Sequence, residues 1–123
     1  MSTDFDRWLL KPRYSLLDSR DQADLRSYIV KGMPISLPFV SSPMNTVTEW
    51  KLAIELAKLG GVGVIHRYMN SMQQHEQVRK VKEAGFLVGA AIGTSKVQER
   101  LIALMETENP PDFLMLDVAH GDT

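Results

Sequence analysis

The order of apolar runs and helical segments constrains this chain more than any other feature. From residue 36 onward four short apolar runs occur: LPFV (37–40), GVGVIH (61–66), FLVGAAIG (86–93) and DFLMLD (112–117). Between them lie three stretches with apolar residues at helical spacing. The first carries Leu52, Ala53, Leu56, Ala57 and Leu59; the third carries Val97, Leu101, Leu104 and Met105. The second is more polar and places Glu76 four residues before Lys80, the supportive order for an ion pair. The pattern reads β-α-β-α-β-α-β. A helix between two strands returns the chain to the same sheet edge, so the strands are expected to be parallel. They are apolar throughout rather than alternating, as strands covered on both faces are. The fold class is α/β, and an open doubly wound sheet and a (β/α)₈ barrel both satisfy the pattern.

Punctuation supports these boundaries. TVTE (46–49), SMQQ (71–74) and SKVQ (95–98) each have the spacing of a capping box and predict helix starts at those places. Gly60 and Gly61 close the first helix, Gly85 closes the second, and Asn109, Pro110 and Pro111 break the chain after the third. Residues 1–35 have several breakers, many charges and one apolar cluster at Trp8, Leu9 and Leu10, and read as an irregular arm. Within it, DSRDQADLRSYI (18–29) has the makings of a short helix capped by Asp18 or Ser19.

Composition removes several function classes. With 123 residues the chain suits one domain, here an arm (1–35) and a strand-helix unit (36–123). The formal net charge is −1, from 14 basic and 15 acidic residues that are interspersed, so no basic stripe for nucleic acid is expected. No run is long and apolar enough to span a membrane, and the acidic start MSTDFDRW does not resemble a signal peptide. A cytoplasmic protein is the expectation. No cysteine is present, which removes disulfides and thiolate chemistry from these residues. The three histidines do not have metal-ligand spacing, and GVGVIH and GAAIGTS lack the glycine and lysine positions of dinucleotide and phosphate loops.

In both architectures, ligands bind at the carboxyl ends of the strands. Those ends read SSPMN (41–45), HRYMN (66–70), GTS (93–95) and DVAHGDT (117–123). All are small, polar or titratable, whereas the opposite ends (PISLP, KLGG, EAGF, NPPD) read as connectors. Helix caps also favour such residues, so each has a plain reading beside a functional one. Ser41 and Ser42 either satisfy loop backbone or face a ligand. His66 is either a hydrogen-bonded structural histidine or a ligand contact. Arg67 is a solvated charge or a site cation, and Thr94 is first of all a cap. Asp117 is the sharpest case, because a carboxylate following Phe113, Leu114, Met115 and Leu116 is costly to bury unless it is hydrogen-bonded or used.

Taken together, LPFVSSPMNTVTEWKLAIELAKLGGVGVIHRYM, EQVRKVK, LVGAAIGT and LDVAHGDT resemble the first part of the barrel of the IMP dehydrogenase / GMP reductase family. FDRWLLKPRYSLLDSRDQADL resembles that family's N-terminal arm. The resemblance implies a (β/α)₈ barrel, of which four strands are half. It implies that Ser42 and Met44 touch a purine nucleotide and that Asp117 contacts the nicotinamide riboside. Gly93 and Thr94 would lie near the dinucleotide, with His66 and Arg67 on the cofactor side. NAD or NADP is the implied cofactor and a homotetramer the implied assembly. The most direct reading is NAD-dependent oxidation of IMP to XMP, with NADPH-dependent reduction of GMP to IMP, or nucleotide binding without turnover, as alternatives. The nucleophilic cysteine, monovalent-cation site and flap of the family fall on later segments, and this sequence has no cysteine to supply the first.

The sequence departs from the family pattern in three places. Asn45 stands where aspartate is usual, the arm reads DRWLL, and Lys82 runs directly into EAGF with no CBS-domain insertion. SSPMNTVTE and GGVGVIHR lean towards the dehydrogenase branch.

Overall fold

The structure, a computed structural model, describes residues 8–121. Residues 1–7 of the arm, and Asp122 and Thr123 of the fourth strand-end motif, lie outside the described residues. The described elements are β1 (Ser27–Val30), β2 (Met33–Ile35), α1 (Trp50–Lys58), β3 (Gly63–Ile65), α2 (Ser71–Glu83), β4 (Val88–Ile92), α3 (Val97–Met105) and β5 (Phe113–Leu116).

The central sheet is parallel with order β3-β4-β5, so the α/β class and the strand direction are as expected. The expected first strand is a correction. Residues 37–40 form no regular ladder with β3; a single parallel bridge joins Val40 to Val62, the residue just before that strand. Pro38 has no N–H to donate to a ladder, and the Phe39 N–H turns back on the Leu37 carbonyl at 2.8 Å. What survives is a short run of bonds along the flank of β3: Val62 N–H to Phe39 O at 3.0 Å and Ser41 N–H to Val62 O at 3.1 Å. The sheet therefore has three regular strands and one bridged flank.

The arm is also more ordered than its composition suggests. β1 and β2 form an antiparallel hairpin around Gly32, whose φ of +84° a side chain rarely adopts. The helix expected near residue 18 is reduced to one 3₁₀ turn, Arg20–Gln22, which Ser19 does cap, at 3.3 Å from Asp21 N.

Register explains the packing. Gly63 pairs with Val88, and Ile65 pairs with Ala90, which pairs with Leu114. Alternation along the strands places these side chains on one face. There Ile65, Val88 and Ala90 meet Ala53, Val78, Val81 and Leu104 of the helices in one buried cluster. Gly63 is required by this contact, since a Cβ on it would stand 2.4 Å from Ala53 Cβ. At the amino end of the sheet, Asp112 accepts from the Val88 N–H at 2.8 Å and from Lys82 Nζ at 2.6 Å. That end is a structural staple, which leaves the carboxyl ends for chemistry.

Candidate functional site

Helix starts, not only strand ends, build this region, and all three expected capping boxes are corrected. α1 starts at Trp50, with Glu49 in the cap position and no side-chain cap; the Trp50 N–H goes instead to Gln77 Oε1 of α2 at 2.9 Å. Thr48 is buried and uses its hydroxyl on the Ser42 carbonyl at 2.6 Å. α2 does have a capping box, one residue earlier than expected: Asn70 Oδ1 accepts from Gln73 N at 2.8 Å, and Gln73 Oε1 accepts from Asn70 N at 3.2 Å. α3 is capped by neither Thr94 nor Ser95. Lys96 occupies the cap with a left-handed φ of +50° and makes no side-chain cap bond.

Three of the residues singled out in the sequence meet at the carboxyl end of the sheet. Arg67 Nε donates to Asp117 Oδ2 at 3.1 Å, linking the ends of β3 and β5 across β4. Gly93, at the end of β4, supplies the room: a Cβ there would stand 3.0 Å from Arg67 Nη1. Asp117 is itself anchored by its N–H on the Ile92 carbonyl at 2.8 Å. The costly carboxylate is thus partly buried and paired, and its Oδ1 has no hydrogen bond among the described residues.

Arg67 and Gly93 line a cavity of about 550 Å³ together with Asn70, Ser71, Ser95 and Lys96, and with Glu99 and Arg100 of α3. Arg100 was not evident in the sequence. It donates to Gln74 Oε1 at 2.6 Å and to the Met69 carbonyl at 2.9 Å. Gln74, fully buried, turns its amide nitrogen to the carbonyls of Ala91 (2.8 Å) and Ile65 (3.3 Å). One side chain thereby ties the ends of β3 and β4 to α3. Burial pushes the Arg100 guanidinium below its ordinary pKa, and the neighbouring charge of Arg67 adds to the effect. A single polar residue on a helix has no periodic signature, so nothing in the sequence marked Arg100.

His66 faces the other side of the same loop. It is 3% exposed and lines a second cavity of about 380 Å³ with Asn45, Glu49, Tyr68 and Gln77 among others. Its Nδ1 accepts from the Tyr68 N–H at 3.2 Å, so in the neutral ring the proton is on Nε2. Nε2 lies 3.5 Å from Glu49 Oε1 without hydrogen-bond geometry. The Nδ1 bond agrees with the structural reading of His66, while Nε2 is buried without a hydrogen-bond partner among the described residues.

Ser42 and Met44 are exposed in the first strand-end turn and line neither of these cavities. That turn is held by backbone: Met44 N–H to Ser42 O at 2.8 Å, and Val47 and Thr48 N–H to Met44 O at 3.0 Å each. Ser41 is a support, its Oγ accepting from Val64 N at 3.4 Å. Thr94 is exposed and lines neither cavity. Among the described residues no group of three or more histidine, cysteine, aspartate or glutamate side chains could hold a metal ion.

A family model for the IMP dehydrogenase / GMP reductase domain matches residues 2–123. The chain belongs to the IMP dehydrogenase / GMP reductase family. It is similar to the inosine-5'-monophosphate dehydrogenase of Nitrosopumilus maritimus, 44% identical over 81 residues, which are 66% of this chain and 17% of that relative. The enzyme of the same name from Aquifex aeolicus is 43% identical over 86 residues, 68% of this chain and 17% of the relative. That from Rhizobium tropici is 38% identical over 105 residues, 83% of this chain and 21% of the relative. The chain thus spans about a fifth or less of the length of these curated relatives. The family assignment agrees with the resemblance carried by the strand-end motifs, and its members named here are oxidoreductases.

Proposed function

We propose that this chain forms the first part of a (β/α)₈ barrel in a purine nucleotide oxidoreductase, and that its Arg67–Asp117 pair faces a nicotinamide dinucleotide. The reaction is oxidation of IMP to XMP: water adds at C2 of the purine, and hydride and a proton leave. The dinucleotide, when bound, supplies the acceptor for that hydride. The observation that carries the reading is the 3.1 Å bond from Arg67 Nε to Asp117 Oδ2 at the carboxyl end of the sheet.

The residues fit the cofactor. Asp117 keeps Oδ1 for a ribose hydroxyl, and Arg67 orients the carboxylate through Oδ2. Gly93 lets this pair sit against the end of β4, where a side chain would push Arg67 aside. Thr94 follows directly and is exposed. Ser42 and Met44, on an exposed turn with its backbone satisfied, are assigned to the purine nucleotide. His66 acts from beneath, holding the backbone of Tyr68 and so the course of the loop that carries Arg67. The nucleophile belongs to a segment beyond these residues, and cytoplasmic location and a homotetramer follow as expectations from the family.

The test is turnover of IMP by the protein at its native length with NAD or NADP, read as XMP by chromatography and mass. XMP that appears only with a dinucleotide supports the reading. Deamination of GMP with a reduced dinucleotide, and no XMP, would assign the reductase reaction instead.

A further inference from the structure

Arg67 meets Asp117 through one bond, from Nε to Oδ2 at 3.1 Å. A two-bonded arginine fork fixes both the position and the plane of a guanidinium, whereas one bond leaves it free to turn about that contact. At the end of this sheet other groups set the plane. The Arg67 Cζ stands 5.0 Å from the centre of the Tyr68 ring, within the range of a cation–π contact. The Gly93 backbone lies along the same guanidinium, since a Cβ there would stand 3.0 Å from Nη1, 3.2 Å from Cζ and 3.4 Å from Nε. The Tyr68 contact does not follow from adjacency in sequence. Neighbouring side chains on an extended chain point to opposite faces. Here the chain bends over residues 67–69, and the Tyr68 N–H is tied back to Nδ1 of the buried His66 at 3.2 Å. The His66 ring flanks the Tyr68 ring at 6.1 Å, tilted by 30°. Tyr68 is 59% exposed, so burial of its ring is not what holds it in this place.

We propose that Tyr68 is a positioning residue of this site: its ring fixes the plane of the Arg67 guanidinium, and through Arg67 the direction in which Asp117 presents its second carboxylate oxygen. The proposal rests on the reading that the Arg67–Asp117 pair faces a nicotinamide dinucleotide. The backbone of Asp117 is anchored on the Ile92 carbonyl, but the bond described for its carboxylate is the one from Arg67. A guanidinium that turns takes the carboxylate with it or releases it, and Oδ1 then loses its aim. Tyr68 lines the cavity of His66 and not the one beside Gly93, so its effect passes through Arg67 and not through contact with the ligand.

The experiment is calorimetric titration of the protein at its native length with NAD and with NADP, for the wild type, Tyr68→Leu, Tyr68→Phe, Arg67→Gln and the Tyr68→Leu, Arg67→Gln double variant, with thermal unfolding alongside. The dinucleotide that binds the wild type more tightly is the probe. Leucine keeps apolar bulk and removes the ring face, whereas phenylalanine keeps the face and removes only the hydroxyl. The expected result is that Tyr68→Leu weakens binding about three- to fivefold and that Tyr68→Phe binds as the wild type does. The unfolding midpoints of both should match the wild type. In the Arg67→Gln background, Tyr68→Leu should do nothing further, because the cation it acts on is gone. In turnover the loss should fall on the KM for the dinucleotide, with kcat unchanged. An equal loss in the Arg67→Gln background would mean that Tyr68 acts without Arg67, and overturns the proposal. Unchanged binding in Tyr68→Leu, with Arg67→Gln weakened, also overturns it and leaves the dinucleotide reading standing. Unchanged binding in both Tyr68→Leu and Arg67→Gln removes that reading, and the proposal with it.

Discussion

Gln74 carries more of the site than its position in a polar helix suggests. Its amide group satisfies two strand-end carbonyls in the buried interior and receives Arg100 at the edge of the cavity. Gln74→Leu keeps the volume and removes every bond of this side chain, leaving the Ile65 and Ala91 carbonyls without this donor and Arg100 with the Met69 carbonyl alone. The expected loss is roughly 2–4 kcal/mol of stability, measured by denaturant unfolding. A loss within experimental error would mean that the clamp is not formed. Gly93→Ala tests a different point. Its Cβ would crowd the guanidinium of Arg67 at 3.0 Å, which must shift away from Asp117. Dinucleotide affinity should fall several-fold with little change in stability, because the clash is with a flexible side-chain end. Arg67, Asp117 and Gly93 were legible in the sequence because strand ends in a parallel sheet converge, whatever the loops do. Gln74 and Arg100 were not, because long-range polar partners leave no local mark. Ser42, Met44 and Thr94 rest on family resemblance, and no cavity described here brings them to Arg67.

At the scale of elements, order and direction were readable and helix starts were not. The sequence offers several serines, threonines and asparagines within two or three residues of each start, and tertiary bonds decide among them. At α2, Asn70 prevails because its side chain reaches Gln73 N at 2.8 Å while Gln73 reaches back. Asn70→Ala is therefore expected to cost about 1 kcal/mol, and Ser71→Ala only a few tenths, in thermal or denaturant unfolding. The reverse order would restore the cap suggested by SMQQ. At α1 the candidate cap, Thr46, lies three residues before Glu49, which takes the cap position, and Gln77 closes the helix start from outside. The strand expected at 37–40 failed for a local reason, the missing N–H of Pro38 and the turned N–H of Phe39. Glycine spacing was a firmer guide, because Gly60 (φ +97°) and Gly85 (φ +83°) end their helices in the left-handed region as read.

The whole molecule buries one face of its sheet well and leaves other apolar surface open. Leu9, Leu10, Tyr14 and Leu16 of the arm are largely exposed, as are Phe39 on the bridged flank and Leu116 on the outermost strand. β5 has no further strand beside it among the described residues. Such surface is what the remainder of a barrel, or another subunit, would cover. Expressed as these 123 residues alone, the chain is expected to self-associate, seen as concentration-dependent mass in sedimentation. A stable monomer at high concentration would argue that the arm folds back over the sheet in solution. This openness was foreseeable from an incomplete strand-helix alternation, whereas the hairpin at 27–35 was not, because Pro34 and Gly32 read as breakers and not as the turn and edge of a small sheet.

The most direct test of the central claim is the affinity of a nicotinamide dinucleotide for the native-length protein, compared between the wild type and Asp117→Ala. Removing a charged, arginine-oriented acceptor should weaken binding by about tenfold or more. Unchanged affinity in a folded Asp117→Ala protein would show that the Arg67–Asp117 pair is a structural tie and does not face the dinucleotide.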